Sequence, residues 1–243
     1  MFFGLFDSNS TKIEMILTTD IHSHLIAGID DGAKTVEESL ELLRGLYELG
    51  YRKVVTTPHI MSDFYTNNRA TILSGLEHLR EASEADGIEM EIEAAAEYYL
   101  DDGFYKHLEE GNPLTLNGNY LLFETSYVEK PLQFDEMIFA ISSRGHKPLL
   151  AHPERYQYIK DPLNEYLELK ERGIFFQVNL NSFGGYYGKD AQIKAMVLHE
   201  HGLIDFLGSD THKMKHVETL KKVQQLKLYP LLLEKNNILN HTL

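Results

Sequence analysis

The stretch Met15-Ile16-Leu17-Thr18-Thr19-Asp20-Ile21-His22-Ser23-His24 decides how this chain reads. Residues 15–20 form a short run of strand length, and that run opens directly into two histidines spaced i and i+2. Side chains two apart on an extended segment point the same way, so His22 and His24 can share one metal ion. A single His-x-His is a weak signal. Its weight comes from what the rest of the chain repeats.

Further strand-like runs lie at 53–57, 88–96, 120–124, 148–151, 174–180 and 204–208. Helical patterns alternate with them near 35–49, 68–85, 132–144, 162–172, 189–201 and 215–235, with a shorter one near 103–109. The first helix is well marked: Thr35 and Glu38 have capping-box spacing, and Gly50 follows the end. Seven β/α repeats predict a parallel barrel of the α/β class, distorted or incompletely regular. A doubly wound open sheet is the alternative, because periodicity does not determine closure. The expectation is one domain over residues 1–243, with a core at about 15–235 and a short N-terminal arm. No glycine-rich dinucleotide fingerprint or P-loop follows any strand.

Six of the seven runs deliver a histidine or carboxylate at their C-terminal end, where parallel barrels place their chemistry. The first gives His22 and His24, with Asp31 in the following Gly28-Ile29-Asp30-Asp31-Gly32 turn. The second gives His59, the third Glu97, the fourth Glu124, the fifth His152, and the seventh Asp210 and His212. Taken singly, each has a bland reading. His59 or His152 would be a hydrogen-bonded structural histidine, Glu97 or Glu124 a buried ion-pair partner, and Asp31 a turn residue. Together those readings would bury many polar groups at high cost, so convergence on a metal is favoured. His78, His107, His146, His199, His201, His216 and His241 fall outside the pattern and read as solvated or locally paired.

Composition narrows the chemistry. Hydrophobic residues make up 43% and charged residues 25% of 243, ordinary for a globular chain. There is no cysteine, which excludes disulfides and thiolate-held zinc and leaves imidazole and carboxylate as ligands. The net charge of −14, with no Lys/Arg-rich run, argues against nucleic-acid binding through a basic surface. No apolar run approaches the ~20 residues of a membrane span, and the apolar opening at 1–6 lacks a basic start. The chain therefore reads as cytoplasmic, without stable membrane insertion.

The motifs together resemble the PHP (polymerase and histidinol phosphatase) superfamily, and within it the bacterial CpsB/YwqE-type protein-tyrosine phosphatases of capsule and exopolysaccharide loci. The matching segments are Asp20-Ile21-His22-Ser23-His24, Asp30-Asp31-Gly32, Thr57-Pro58-His59, Ala96-Glu97, Phe123-Glu124, Ala151-His152-Pro153-Glu154-Arg155-Tyr156 and Ser209-Asp210-Thr211-His212. The resemblance implies a distorted (β/α)₇ TIM-like barrel carrying three divalent ions, often manganese, with iron, zinc or magnesium as alternatives. It implies His22, His24, Glu97 and Asp210 for one ion, Glu97, Glu124 and His152 for a second, and Asp31, His59 and His212 for the third. It also implies that Arg155 binds phosphate or acts in catalysis. Relatives usually carry a second arginine soon after the Ser-Asp-x-His segment. Here the chain reads Lys213-Met214-Lys215-His216, so Lys213 or Lys215 would have to substitute without arginine's bidentate geometry.

Asp31, Glu97, Glu124 and Asp210 against three divalent ions leave a positive site, suited to a phosphate monoester on an otherwise acidic protein. The implied reaction is hydrolysis of phosphotyrosine by metal-activated hydroxide, with a bacterial tyrosine autokinase as the implied protein substrate. No side chain stands out as general acid. Tyr65, Tyr98, Tyr99, Tyr127 and Tyr156 are candidates for an aromatic rim, or for packing at the strand ends. The other readings are a small-molecule phosphatase of the histidinol-phosphate type and a non-catalytic, metal-stabilised scaffold in polysaccharide assembly.

Overall fold

The computed structural model describes residues 17–117 and 119–243. The predicted start of the first strand at 15–16 and the apolar arm at 1–6 lie outside them. Within the described residues every strand pairing is parallel. One sheet runs β1 (Thr19–Asp20), β2 (Lys53–Thr56), β4 (Glu91–Ala94), and a second runs β3 (His59–Ile60), β5 (Glu97–Tyr99), β6 (Tyr120–Glu124), β7 (Lys147–Ala151), β8 (Phe175–Asn179), β9 (Phe206–Gly208). Neighbours follow chain order with no reversal, unlike the doubly wound arrangement.

Two predicted strands are each followed by a further short strand beyond the predicted run, β3 after 53–57 and β5 after 88–96. Pro58 has no N–H to give a ladder, and around it the chain changes partners: β2 pairs with β1 and β4, whereas β3 pairs with β5. Ala95 N still donates to Thr56 O at 2.9 Å and Glu97 N to Pro58 O at 3.1 Å, which joins the two sheets across the break. The ends of the two sheets also meet. Asp210 N donates to His22 O at 2.8 Å and His24 N to Thr211 O at 2.9 Å, around a parallel bridge from Ser23 to Thr211.

Helices α1 (Val36–Glu48), α2 (Arg69–Ala85), α3 (Phe104–Glu109), α4 (Phe134–Ser143), α5 (Pro162–Glu171), α6 (Leu180–Phe183) and α7 (Lys189–Glu200) connect the strands. Thr35 caps α1 by accepting from Glu38 N, but the Glu38 carboxylate accepts from Lys34 N rather than closing the predicted box on Thr35. The helix predicted over 215–235 is two helices, α8 (Met214–Gln224) and α9 (Leu228–Lys235). Pro230 fits the first turn of α9 but would cost an unbroken helix its bond to residue 226. No helix among the described residues is long and apolar enough to cross a membrane.

The strands show the two-residue period of sheets buried on both faces. Tyr120, Leu122, Leu149 and Ala151 join Ile21, Val55, Ala95, Leu116 and Phe206 in an inner cluster, while Leu121, Phe123 and Leu150 face the helices. Leu239 and Leu243 of the C-terminal tail pack against the inner cluster. Nearby, Asn240 is fully buried. Its amide donates to Thr19 O and Leu207 O and accepts from Leu207 N, linking β1 to β9 through a side chain.

Candidate metal centre

All nine sequence-predicted ligands meet at the C-terminal strand ends. Their donor atoms fall into four overlapping groups, each within 4.8 Å: His24, Asp31, His59, His212; His22, Glu97, His152; His22, His24, Asp210; and His59, Glu97, Glu124. The grouping differs from the expected sets in detail, with His24 beside Asp31, His59 and His212, and His152 beside His22. Glu97 occurs in two groups and is fully buried, between His22 Nε2 (3.2 Å), His59 Nδ1 (3.1 Å) and His152 Nε2 (3.0 Å). Asp31 is the half-exposed member, on the solvent side.

Two of these residues sit where the backbone bends sharply. His152 has φ 33° and Asp210 φ 51°, a left-handed conformation that is uncommon without glycine. Each follows the end of a strand, and the turn aims its side chain back over the sheet. Such strain collects at functional sites because the surrounding structure holds it there. Glycine is required twice beside it. A Cβ on Gly32 would lie 2.1 Å from His24 O, and one on Gly208 would lie 2.8 Å from His22 Cβ.

The imidazoles are oriented from behind. His22 Nδ1 donates to Gln177 Oε1 at 2.7 Å, and His24 Nδ1 donates to Asp30 Oδ2 at 2.8 Å. His212 Nδ1 donates to Asp210 O at 3.0 Å, joined there by His216 Nδ1 at 2.7 Å. Asp30 is itself fixed by Gly32 N and His59 N. With those nitrogens bonded outward, His22 Nε2 and His24 Nε2 face each other at 3.3 Å, among the carboxylates of Glu97 and Asp210. Two imidazole nitrogens that close, ringed by anions, share a proton or another cation, and a donor set of this kind fits divalent metal.

The electrostatics express the same demand. Burial pulls the His24 pKa down, but the Asp30 charge more than reverses this and lifts it to about 10. His59 is likewise raised well above its ordinary value against burial, chiefly by Glu97. Burial would raise Asp210, yet His22, His212 and Arg155 hold it far below the usual carboxylate range. The carboxylates thus stay ionised and draw in positive charge, whether protons or metal.

Asp210 divides its two oxygens. Oδ1 faces His22 and His24, whereas Oδ2 accepts from Arg155 (2.8 Å), Asn179 (2.7 Å) and Tyr187 (3.1 Å). The Arg155 guanidinium lies between two aromatic faces, 4.5 Å from the Tyr127 ring and 4.3 Å from that of Tyr187. Above it opens a cleft of about 580 Å³. Of the proposed aromatic rim, Tyr65, Tyr99 and Tyr127 line that cleft. Tyr98 and Tyr156 do not: they are buried in the core, where Tyr98 OH accepts from Leu114 N and Tyr156 OH donates to Ala151 O. Tyr186 and Tyr187 take their place. Lys213 also lines the cleft, and Lys215 instead reaches toward Glu218.

Asp30, Gln177, Asn179 and Tyr187 have no site role in the sequence reading, and His216, which reads there as solvated or locally paired, is buried and paired with Asp210 O. Gln177 and Asn179 carried a usable signal, being two polar residues at i and i+2 on a buried strand, which need partners on the strand's inner side.

A parallel α/β framework gathering histidines and carboxylates at the C-terminal strand ends defines a candidate metallohydrolase. The chain belongs to the CpsB/CapC family of capsular polysaccharide synthesis, whose profile matches residues 18–225. It is 28% identical over 197 residues to the tyrosine-protein phosphatase YwqE of Bacillus subtilis, covering 81% of this chain and 78% of that one. Among solved structures it resembles those of YwqE from Bacillus subtilis and CpsB from Streptococcus pneumoniae, described as unique metal-dependent tyrosine phosphatases. The TM-score is 0.78 at 26% identity, over 90% of this chain and 96% of that one. Histidinol phosphate phosphatase of Lactococcus lactis shares the fold, with a TM-score of 0.54 at 10% identity over 87% and 94% of the chains.

Proposed function

We propose that this chain is a metal-dependent protein-tyrosine phosphatase that removes phosphate from a phosphotyrosine protein in capsule or exopolysaccharide regulation. The observation that carries the reading is the junction at Asp210, whose one oxygen joins the histidine cluster and whose other holds Arg155 at the floor of an open, tyrosine-lined cleft. A phosphate bridging those two halves would meet metal on one side and a guanidinium on the other.

In this proposal His22, His24, Asp31, His59, Glu97, Glu124, His152, Asp210 and His212 hold three divalent ions, with manganese first among the candidates. Bound metal would supply Lewis-acid polarisation of phosphate and a water of lowered pKa. The chain's own residues do the rest. Gln177 and Asp30 fix which imidazole nitrogen faces inward. Arg155 binds phosphoryl oxygens and stabilises their charge as the ester bond breaks, and Lys213 adds a second, more mobile cation at the rim. Tyr65 and Tyr99 offer faces for the phenyl ring. A tyrosinate leaving group, pKa ≈ 10, needs less protonation than an alkoxide.

The fold proposed is a single distorted (β/α)₇ barrel. It is supported by the hydrogen bonds joining the segments that follow β1 and β9 and by the inner cluster to which strands of both sheets contribute. The proposed protein substrate is a bacterial tyrosine autokinase, met in the cytoplasm. The test is hydrolysis of a phosphotyrosine peptide beside histidinol phosphate, with metal stoichiometry measured on the same preparation. Manganese-stimulated turnover of the peptide is expected. Preference for histidinol phosphate, or no turnover with any divalent metal, would overturn the assignment.

A further inference from the structure

A second groove, of about 700 Å³, lies beside the cleft and shares Tyr127, Arg155 and Tyr187 with it. Its walls are the segment 157–162, which leads into α5, and the first turns of α7. The two cavities are thus compartments of one trough, and the Arg155 sandwich is the saddle between them. A phosphate held at that saddle would leave the polypeptide on either side of its tyrosine free to run into the second compartment.

The walls have a pattern that helix packing does not explain. On α7 a lysine is turned inward and an isoleucine outward: Lys194 is buried, whereas Ile193 is 50% exposed and faces the groove. Burying a lysine carries a desolvation cost that this one offsets with specific partners. Its Nζ donates to Tyr156 O at 2.8 Å and to Asp190 Oδ2 at 2.6 Å. Lys194 therefore ties the groove wall to the backbone next to Arg155 and neutralises the carboxylate of Asp190. What remains for a ligand is an aliphatic surface, Ile193 with Pro162, and the exposed Lys160, whose ammonium makes no ion pair among the described residues. On a chain of net charge −14, an unpaired lysine beside Arg155 is a local positive feature.

We propose that this groove is the subsite for the polypeptide flanking the phosphotyrosine, seating an aliphatic side chain against Ile193 and Pro162 and an acidic side chain at Lys160. The inference rests on the phosphatase reading and adds to it a sequence preference, read by residues that do not touch phosphate. Continuity through Arg155 is what selects this occupant: a ligand anchored by phosphate at the saddle is already at the groove's mouth.

The test uses the metal-loaded enzyme and a fluorescent peptide carrying a non-hydrolysable difluorophosphonate analogue of phosphotyrosine, flanked by one aliphatic and one glutamate residue. Binding is measured by anisotropy for wild type, Ile193→Asp and Lys160→Glu, with inorganic phosphate as competitor. Both variants change exposed side chains. Each is expected to weaken the peptide about tenfold while phosphate competes with unchanged affinity. Lys160→Glu should in addition favour a peptide with lysine in place of the glutamate. Equal peptide affinity in all three proteins overturns the subsite, as does a parallel loss of phosphate affinity. Turnover of p-nitrophenyl phosphate by the wild type separates the two readings. Turnover with indifferent peptide binding sinks only the groove, and groove-dependent binding without turnover sinks only the catalytic assignment.

Discussion

Gln177 and His22 lie 155 residues apart in sequence, yet Gln177 Oε1 accepts from His22 Nδ1 at 2.7 Å. That one bond decides which nitrogen of His22 points into the ligand cluster. Asp30 does the same for His24. Gln177→Leu or Asp30→Ala should lower metal affinity by about 10- to 100-fold, with the fold retained. Manganese titration by calorimetry checks this; unchanged affinity would show that packing alone orients the rings.

Arg155 holds Asp210 at the edge of the cluster, and lysine cannot reproduce its planar fork between two tyrosine rings. Arg155→Lys is expected to reduce kcat/KM on a phosphotyrosine peptide by about 10²- to 10³-fold. Bound metal per protein should fall much less than activity. Loss of metal in proportion to activity would make Arg155 a support for Asp210 instead.

The two lysines after His212 are expected to behave differently. Lys213→Ala should raise KM several-fold, with an effect that shrinks as salt is added, because an exposed charge is screened over about 10 Å at 0.1 M. Lys215→Ala should leave kinetics near wild type. Steady-state assays at two ionic strengths distinguish the pair, and equal effects would remove Lys213 from the site.

Far from the cluster, Asn240 makes three buried backbone contacts between β1 and β9. Asn240→Ala strands a donor and two acceptors and should cost about 2–4 kcal/mol of stability. Urea unfolding of the metal-loaded protein measures it. A loss below 1 kcal/mol would mean that water replaces the amide.

His199 accepts from Asn236 Nδ2 through its own Nδ1, which requires the neutral ring. Burial, with Lys235 nearby, lowers its pKa below the ordinary 6.5. The unfolded chain then binds more protons at mildly acid pH, so this contribution is complete above pH 6.5 and is lost as pH falls below it. Relative to His199→Asn, the wild type should lose less than about 1 kcal/mol between pH 7.5 and 5.5, seen as a steeper fall in urea midpoint. A parallel pH dependence in the two proteins would count against it.

How much of this could be read in the chain follows from the range of each interaction. Strand runs ending in His22, His59, Glu97, Glu124, His152 and Asp210 were legible because alternation and strand-end placement are local properties. The break at Pro58 and the split before Pro230 had local markers too, though their effect on pairing did not. Tyr98 was indistinguishable in sequence from Tyr99, since adjacent strand residues point to opposite faces and register decides which face is wet. Tyr127 and Tyr156 lie in loops after β6 and β7, where only tertiary packing separates a cleft residue from a core one. Tyr186, Tyr187 and His216 lay outside every motif and reach the cleft only through the packing of α6, α7 and α8.

The opening run into His22-Ser23-His24 determined by itself that two imidazoles share one side of an extended segment. Recurrence of such ends determined an α/β chain with its polar residues at one edge, because these are consequences of backbone periodicity. Tertiary structure decided what that edge became. It brought Gln177 and Asp30 behind the two rings, split the oxygens of Asp210 between histidine and arginine, and set Arg155 between Tyr127 and Tyr187. Apart from Asp30, six residues from His24, those contacts join residues tens to hundreds of positions apart, and only the folded sheet, by fixing strand order and register, sets their distances.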